Sequence, residues 1–299
     1  MDLNKFLGLG IALSLLVGQP AAGNPGDEGA RDDSTKPYIF VVPPRETLAE
    51  ATRIYGPVAE YLTSTLGHKV EFQYQNNWLS YQSLLWSDSA DIYFDGPHFV
   101  AWRMHKNAHV LGPRLPQNQD WRLFTRADHP KVLTLANAAG RRFCAHAPPN
   151  FGTLYALSLL DNPARQPYIT NTKGWPAVID GVMNGKCDFG IVPLTQLKTF
   201  DPSQTKTRVL NEGPHFPNQA FTYGPRFSAE QKARMTAALL SPEGQKALEN
   251  LRKEFANGRD LVAGKDEDYQ GVDGPLMAYW EPIYGAIIAQ HATRNVAKQ

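Results

Sequence analysis

One pattern occurs twice in the chain, and it restricts the fold more than any other feature. Tyr38 to Val42, YIFVV, is a continuous apolar run of the kind that forms a strand buried on both faces. Pro43-Pro44-Arg45-Glu46 breaks it. A helix follows, with Leu48, Ala51, Tyr55, Val58 and Leu62 on one face, and it stops near Gly67. Val70 to Tyr74 alternates as a second strand, and Asn76 to Trp86 is a shorter helical stretch. Asp91 to Phe94 is a third strand, closed by Asp95-Gly96-Pro97-His98 before a helix from Phe99 to about Lys106.

The same order then returns. Arg142 to Ala147 is a strand, Gly152 to Leu160 a helix, Tyr168 to Thr170 a short strand, Pro176 to Asn184 a helix ending at Gly185, and Asp188 to Val192 a strand closed by Pro193. Alternation of this kind predicts an α/β layer fold with a mostly parallel sheet, and its repetition predicts two similar Rossmann-like lobes. Trp121 to Thr125 and Gln219 to Tyr223 read as extended runs joining the lobes. Ser228 to Gln231 is a capping box, and Ser241-Pro242 opens a further helix. Those helices, with the tail through Tyr284, are expected to pack back on the first lobe. The partition is therefore 37–123 plus 224–299 for lobe 1 and 124–223 for lobe 2, joined by a two-crossing hinge with a cleft between.

The ends and the composition narrow the function classes. Residues 1–23 have Lys5, the apolar run Phe6 to Val17 and the small residues of Gln19-Pro20-Ala21-Ala22-Gly23, so a cleaved secretory signal is expected. Residues 24–36 lack an apolar pattern and read as a flexible leader. No cysteine lies near the cleavage point, which argues against a lipid anchor. The rest of the 299-residue chain has no stretch of membrane length. The formal net charge is +1, from 30 basic and 29 acidic residues, without the clustered excess of Lys and Arg that nucleic acid requires.

Gly140 to Thr153, GRRFCAHAPPNFGT, is a strand that turns through Pro148-Pro149-Asn150 into a helix. Such a junction aims free backbone N–H groups at one point, a good place for an anion or a polar small molecule. With this stretch, three others carry a resemblance: Tyr55-Gly-Pro-Val-Ala-Glu-Tyr-Leu62 followed by Leu66-Gly67, Ala90 to His98, and Val178 to Pro193 with Gly185-Lys186-Cys187-Asp188. In order and spacing they resemble type II periplasmic solute-binding proteins of the phosphate, phosphite and phosphonate transporter group, over roughly residues 38 to 285. The resemblance implies two hinged lobes, a small, anionic ligand, an ABC transporter permease as partner, a periplasmic location and monomeric action. The family also contains sensor modules, so a sensor kinase is the alternative partner. One departure stands out. Phosphonate-binding members have a Ser/Thr-rich turn before the second-lobe helix, whereas here only Thr153 keeps a hydroxyl.

Ligands of open α/β sheets bind beyond the carboxyl ends of the strands. That rule selects Arg45, a planar cation directly after the first strand, at a helix start where a cation is otherwise disfavoured. It also selects Trp78 and Tyr93 as cleft-wall aromatics or core, and His98 as a ligand contact or a local structural hydrogen bond. Asn150, Gly152 and Thr153 are the leading candidates, with simple helix capping as the bland reading of Asn150. Thr195 follows the last strand of the second lobe.

Cys144 and Cys187, the two cysteines, suit a disulfide in an exported protein. Aligned by their ligand-side turns, however, their strands leave an offset of roughly 7–13 Å at about 3.3 Å per residue. A bridge needs Cα atoms within about 7 Å. The alternative is two buried thiols. A metal site from Cys144, His146 and Cys187 has no CxxC or HxxxH spacing behind it. Catalytic motifs with a suitable context are absent from the sequence, and a thiol nucleophile at Cys144 lacks an orienting third group. The expected role is capture of a small ligand, with no catalysis, no metal and no cofactor.

Overall fold

The computed structural model describes residues 36–160 and 163–280. The expected signal segment, most of the leader and the end of the tail lie outside them. In chain order the elements are β1 (Tyr38–Val41), α1 (Leu48–Leu66), β2 (Val70–Phe72), α2 (Trp78–Ser87), β3 (Ile92–Asp95), α3 (Pro97–Lys106), β4 (Val110–Arg114) and β5 (Gln119–Arg126). Then come β6 (Arg142–Ala145), α4 (Phe151–Leu159), β7 (Tyr168–Asn171), α5 (Trp175–Met183), β8 (Phe189–Pro193), α6 (Leu194–Phe200) and β9 (Thr207–Phe216). The described chain closes with β10 (Ala220–Tyr223), α7 (Ala229–Leu240), α8 (Pro242–Ala247), α9 (Glu249–Ala256) and α10 (Asp266–Tyr269).

These strands form two five-stranded sheets of the same plan, β2-β1-β3-β10-β4 and β7-β6-β8-β5-β9. In each, the β-α-β-α-β unit contributes three parallel strands. A fourth strand then adds antiparallel, β10 to β3 in one sheet and β5 to β8 in the other. Both sheets are therefore mixed. Trp121 to Thr125 and most of Gln219 to Tyr223, read as connectors from sequence, are the antiparallel members. Pairing between distant segments leaves no local signature in an extended run. The chain passes between the sheets at 115–118 and 217–219. The two passages are tied together, because Leu115 N donates to Gln219 O at 2.9 Å and Gln119 Nε2 to Asn218 Oδ1 at 2.9 Å.

Local chemistry accounts for the ends of the elements. Thr47 and Glu50 form a capping box at the start of α1, and Gly67 ends it in the left-handed region at φ 66°. The buried stripe of α1 (Ile54, Tyr55, Val58 and Leu62) packs on Phe40 of β1 in one apolar cluster. Met235, Leu239 and Leu251 of the late helices join that cluster, so the C-terminal helices cover the first sheet.

The cysteines are bonded. Cys144 and Cys187 form a disulfide with Cα atoms 5.6 Å apart. The offset expected from sequence assumed that Cys187 lies in its strand. Instead β8 begins at Phe189, and Cys187 sits in the turn after α5, its N–H donating to Gly181 O at 2.9 Å. That turn folds it back over β6. Gly181 has no room for a side chain, since a Cβ there would lie 2.5 Å from Cys144 Sγ. With both cysteines in the bond, the thiol nucleophile and the cysteine metal site fall away.

Candidate functional site

The site is built where the carboxyl ends of the two sheets meet. On the first sheet, Pro43 and Pro44 end β1 and leave Arg45 at the foot of α1. Four groups from different elements hold its guanidinium. Nη1 donates to the side-chain oxygen of Gln219, and Nη2 to the Tyr55 hydroxyl at 3.3 Å. Nε lies 3.7 Å from Glu46, and the cation sits 5.0 Å above the Phe255 ring. The side chain keeps 29% of its surface exposed. Burial pushes the Glu46 carboxyl above the usual range, against the pull of Arg45.

Gly96 and Pro97 open α3 without a side-chain cap and set His98 at the junction. His98 is buried, and its Nε2 lies 3.0 Å from the Pro149 carbonyl of the second lobe. Since a carbonyl only accepts, Nε2 bears the proton. Burial drives the imidazole pKa down to about 3, so the ring is neutral. The ring also stacks on Phe151 of α4, with centroids 5.1 Å apart at 16°. Val100 and Ala101 of α3 share an apolar cluster with Phe151 and Tyr155 of α4. Leu154 of α4 packs with Phe99 and Trp102 of α3. The two jaws are thus in direct contact at His98.

Behind the first jaw lies a buried ion pair. Arg103 donates to both Asp95 oxygens at 2.7 and 2.6 Å and to the Thr222 hydroxyl at 2.9 Å, while the Tyr81 hydroxyl also donates to Asp95. The Tyr93 ring lies 4.2 Å from the guanidinium. Tyr93 is fully buried and its hydroxyl donates to Leu84 O at 3.3 Å, so it belongs to the core and does not line the cleft. A strand inside a covered sheet gives no sequence cue to which face meets a cleft. Trp78, at the start of α2, is partly exposed and stacks 6.3 Å from Phe99, the neighbour of His98.

On the second jaw, Asn150 caps α4 by accepting from Thr153 N at 3.2 Å. The Thr153 hydroxyl donates to His146 O at 2.6 Å and is fully buried, so it serves the fold of the turn. Pro148 and Pro149 have no N–H. The donors left at this turn are the first-turn N–H groups of Phe151 and Gly152, which have no acceptor within the helix. Gly152 is required by packing, because a Cβ there would meet the Trp121 ring at 2.5 Å. Trp121 stands edge-on to Trp175 at 5.5 Å, and Trp175 stacks on His146 at 3.9 Å. Thr195, in the first turn of α6, is exposed, and no hydrogen bond or ring contact links it to the other candidates.

Four buried polar atoms in these two jaws have no hydrogen-bond partner among the described residues: Glu46 Oε2, His98 Nδ1, Trp121 Nε1 and His146 Nε2. Leaving such an atom unpaired costs about 1–3 kcal/mol, so each of the four is a place where an added hydrogen-bond partner would be favourable. Sequence reading missed Gln219, Tyr55, Trp121 and Trp175. The only cue to Gln219 was its place at the start of a lobe-joining run.

Comparison with known proteins follows the same lines. The family model described as the phosphonate ABC transporter periplasmic substrate-binding protein matches residues 40–269. No curated protein matches the chain. Among solved structures, PhnD1 from Prochlorococcus marinus in complex with methylphosphonate is similar at 10% identity and TM-score 0.55, over 80% of this chain and 97% of that one. A Xanthomonas citri protein bound to ATP is similar at 12% identity and TM-score 0.63, over 81% and 97%. A binding-protein component of an ABC phosphonate transporter from Pseudomonas aeruginosa is similar at 13% identity and TM-score 0.51, over 88% and 100%. At these identities the likeness is one of fold.

Proposed function

Because the chain belongs to the family of periplasmic substrate-binding proteins of phosphonate ABC transporters, we propose that it holds a small phosphonate-like anion between Arg45 and the start of α4. The observation that carries this reading is the held guanidinium of Arg45. A cation fixed by Tyr55, Gln219 and Phe255 loses little freedom when an anion arrives, so more of the attraction remains as affinity. On the second lobe, the N–H groups of Phe151 and Gly152 offer the partial positive charge of a helix N-terminus. His98 joins the two jaws and excludes water when they meet. Trp121 Nε1 is a further buried donor without a partner among the described residues.

The turn supplies no side-chain hydroxyl to an oxyanion, since that of Thr153 is spent on His146 O. Recognition therefore falls on one cation, backbone N–H groups and aromatic walls. That combination suits a single anionic head with an organic substituent better than a bare inorganic oxyanion wrapped by hydroxyls. In this reading the chain acts as a monomer, and its closed form is delivered to a permease. The chain does no chemistry on its ligand.

Calorimetric titration with methylphosphonate, inorganic phosphate and phosphite tests this reading. Methylphosphonate is expected to bind, and Arg45→Ala to weaken it at least tenfold, the scale of one lost charge-assisted contact of about 1.5–3 kcal/mol. Unchanged affinity in Arg45→Ala would remove Arg45 from the site.

A further inference from the structure

Arg45 is fastened to the chain that passes between the sheets, as well as to its own lobe. The passages at 115–118 and 217–219 form one hydrogen-bonded ribbon. Leu115 N donates to Gln219 O at 2.9 Å, Gln119 Nε2 and Gln219 N both donate to Asn218 Oδ1 at 2.9 and 2.8 Å, and the Tyr269 hydroxyl donates to Asn218 O at 2.6 Å. The Gln219 side chain leaves this ribbon and accepts from Arg45 Nη1. The next residue, Ala220, pairs with Asp95 at the end of β3. Since β3 lies between β1 and β10, the side chain of Arg45 reaches from the end of β1 across the end of β3 to the passage.

We propose that Gln219 is a positioning residue that couples Arg45 to the interlobe passage, so that an anion drawn to Arg45 also fixes the bend between the lobes. This rests on the reading of Arg45 as the ligand's anchor. The chemistry of the amide suits the task. Its oxygen occupies one guanidinium N–H without cancelling the charge, and with Tyr55 taking one on Nη2, each terminal nitrogen keeps a second N–H. A carboxylate at the same place would hold Arg45 equally well but would compete with the ligand. A bend at 217–219 must carry the guanidinium with it or break this bond. Position of the cation and angle of the lobes are therefore one linked equilibrium.

The test reads the linkage without a ligand as well as with one. Spin labels at two exposed positions, introduced as Glu60→Cys in α1 and Lys173→Cys before α5, report the interlobe distance in the full chain. Without ligand, Gln219→Ala and Arg45→Ala are each expected to broaden the distribution, and the two together to broaden it no further than either alone. Gln219→Asn keeps the amide but lacks the reach, and should act like Gln219→Ala if that variant folds poorly. In parallel, Gln219→Glu should keep the narrow distribution and raise the methylphosphonate Kd roughly tenfold. Distributions that stay narrow in Gln219→Ala and Gln219→Asn, or that broaden additively with Arg45→Ala, overturn the coupling. Methylphosphonate affinity unmoved by Arg45→Ala overturns the anchor instead, and the ligand-free distances still decide the coupling.

Discussion

The two jaws are held in shape by different chemistry. The first is organised by charge: the Arg103–Asp95 pair is fully buried, Tyr81 and Thr222 complete its hydrogen bonds, and Arg45 stands in front of it. The second has no buried ion pair behind its turn among the described residues. It is set by the Cys144–Cys187 bond and by Trp121, Trp175, His146 and Phe151 packing on one another. His98 touches both, through Pro149 O and the Phe151 ring. The difference teaches that the first jaw is fixed electrostatically, whereas the second is fixed by covalent and aromatic shape. Each jaw should then fail under its own kind of insult.

The largest effect is expected at the ion pair. Arg103→Ala leaves Asp95 buried and uncompensated, a loss of about 3–5 kcal/mol. Urea denaturation should show it as a lowered midpoint. The double variant Arg103→Met with Asp95→Leu should recover most of the loss, because no charge is then stranded. If Arg103→Ala unfolds at the wild-type midpoint, the first jaw is not held by charge and the contrast collapses.

Next comes the disulfide. It closes a sequence separation of 43 residues. By chain entropy that is worth about 4 kcal/mol, within the measured range of roughly 2–5 kcal/mol. Cys144→Ser with Cys187→Ser, or added reductant, should lower stability by that scale. Protection from hydrogen exchange should fall around α4 and α5 and persist around Arg103. Loss spread evenly over both lobes would mean that the jaws do not fail separately.

His98 tests the seam between them. Its pKa is about 3 in the folded protein, below the value of about 6.5 in an unfolded chain. A depressed histidine stabilises the fold fully above pH 6.5, and that contribution fades as pH falls toward 3. At pH 5 the loss is about 2 kcal/mol. The Arg45 and Arg103 charges act in the same direction as burial. The unfolding free energy of the wild type should drop between pH 7.5 and pH 5 by that much more than that of His98→Gln. Parallel pH profiles would show that the imidazole is not buried at the seam.

How much of this was legible in the sequence differs between fold and site. Helix α1 could be read nearly residue by residue, because its apolar spacing, its Thr47–Glu50 box and Gly67 are all local signals. The β-α-β-α-β repeat was legible for the same reason. Strands β5 and β10 were misread because an extended run does not announce its partner, and both pair with segments far away in sequence. At the site, Arg45 and His98 stood out by their place after strands. Their partners Gln219 and Pro149 lie 174 and 51 residues away, and no spacing rule spans such distances. Thr153 shows the converse. Its position suggested a ligand donor, but position does not reveal that the hydroxyl is spent on His146 O.

The smallest effect is expected at Thr195. It shares with Arg45 and His98 a place after a strand end, yet it is exposed, and its backbone carbonyl accepts from Thr199 Oγ1 at 2.9 Å. An exposed threonine without a buried bond changes stability by less than about 0.5 kcal/mol when cut to alanine. Thr195→Ala should therefore leave both the denaturation midpoint and the methylphosphonate titration within error of the wild type. A clear loss of affinity with unchanged stability would bring the start of α6 into the second jaw. That jaw would then recruit a side-chain hydroxyl after all, and its description as a surface of shape and backbone donors would have to give way.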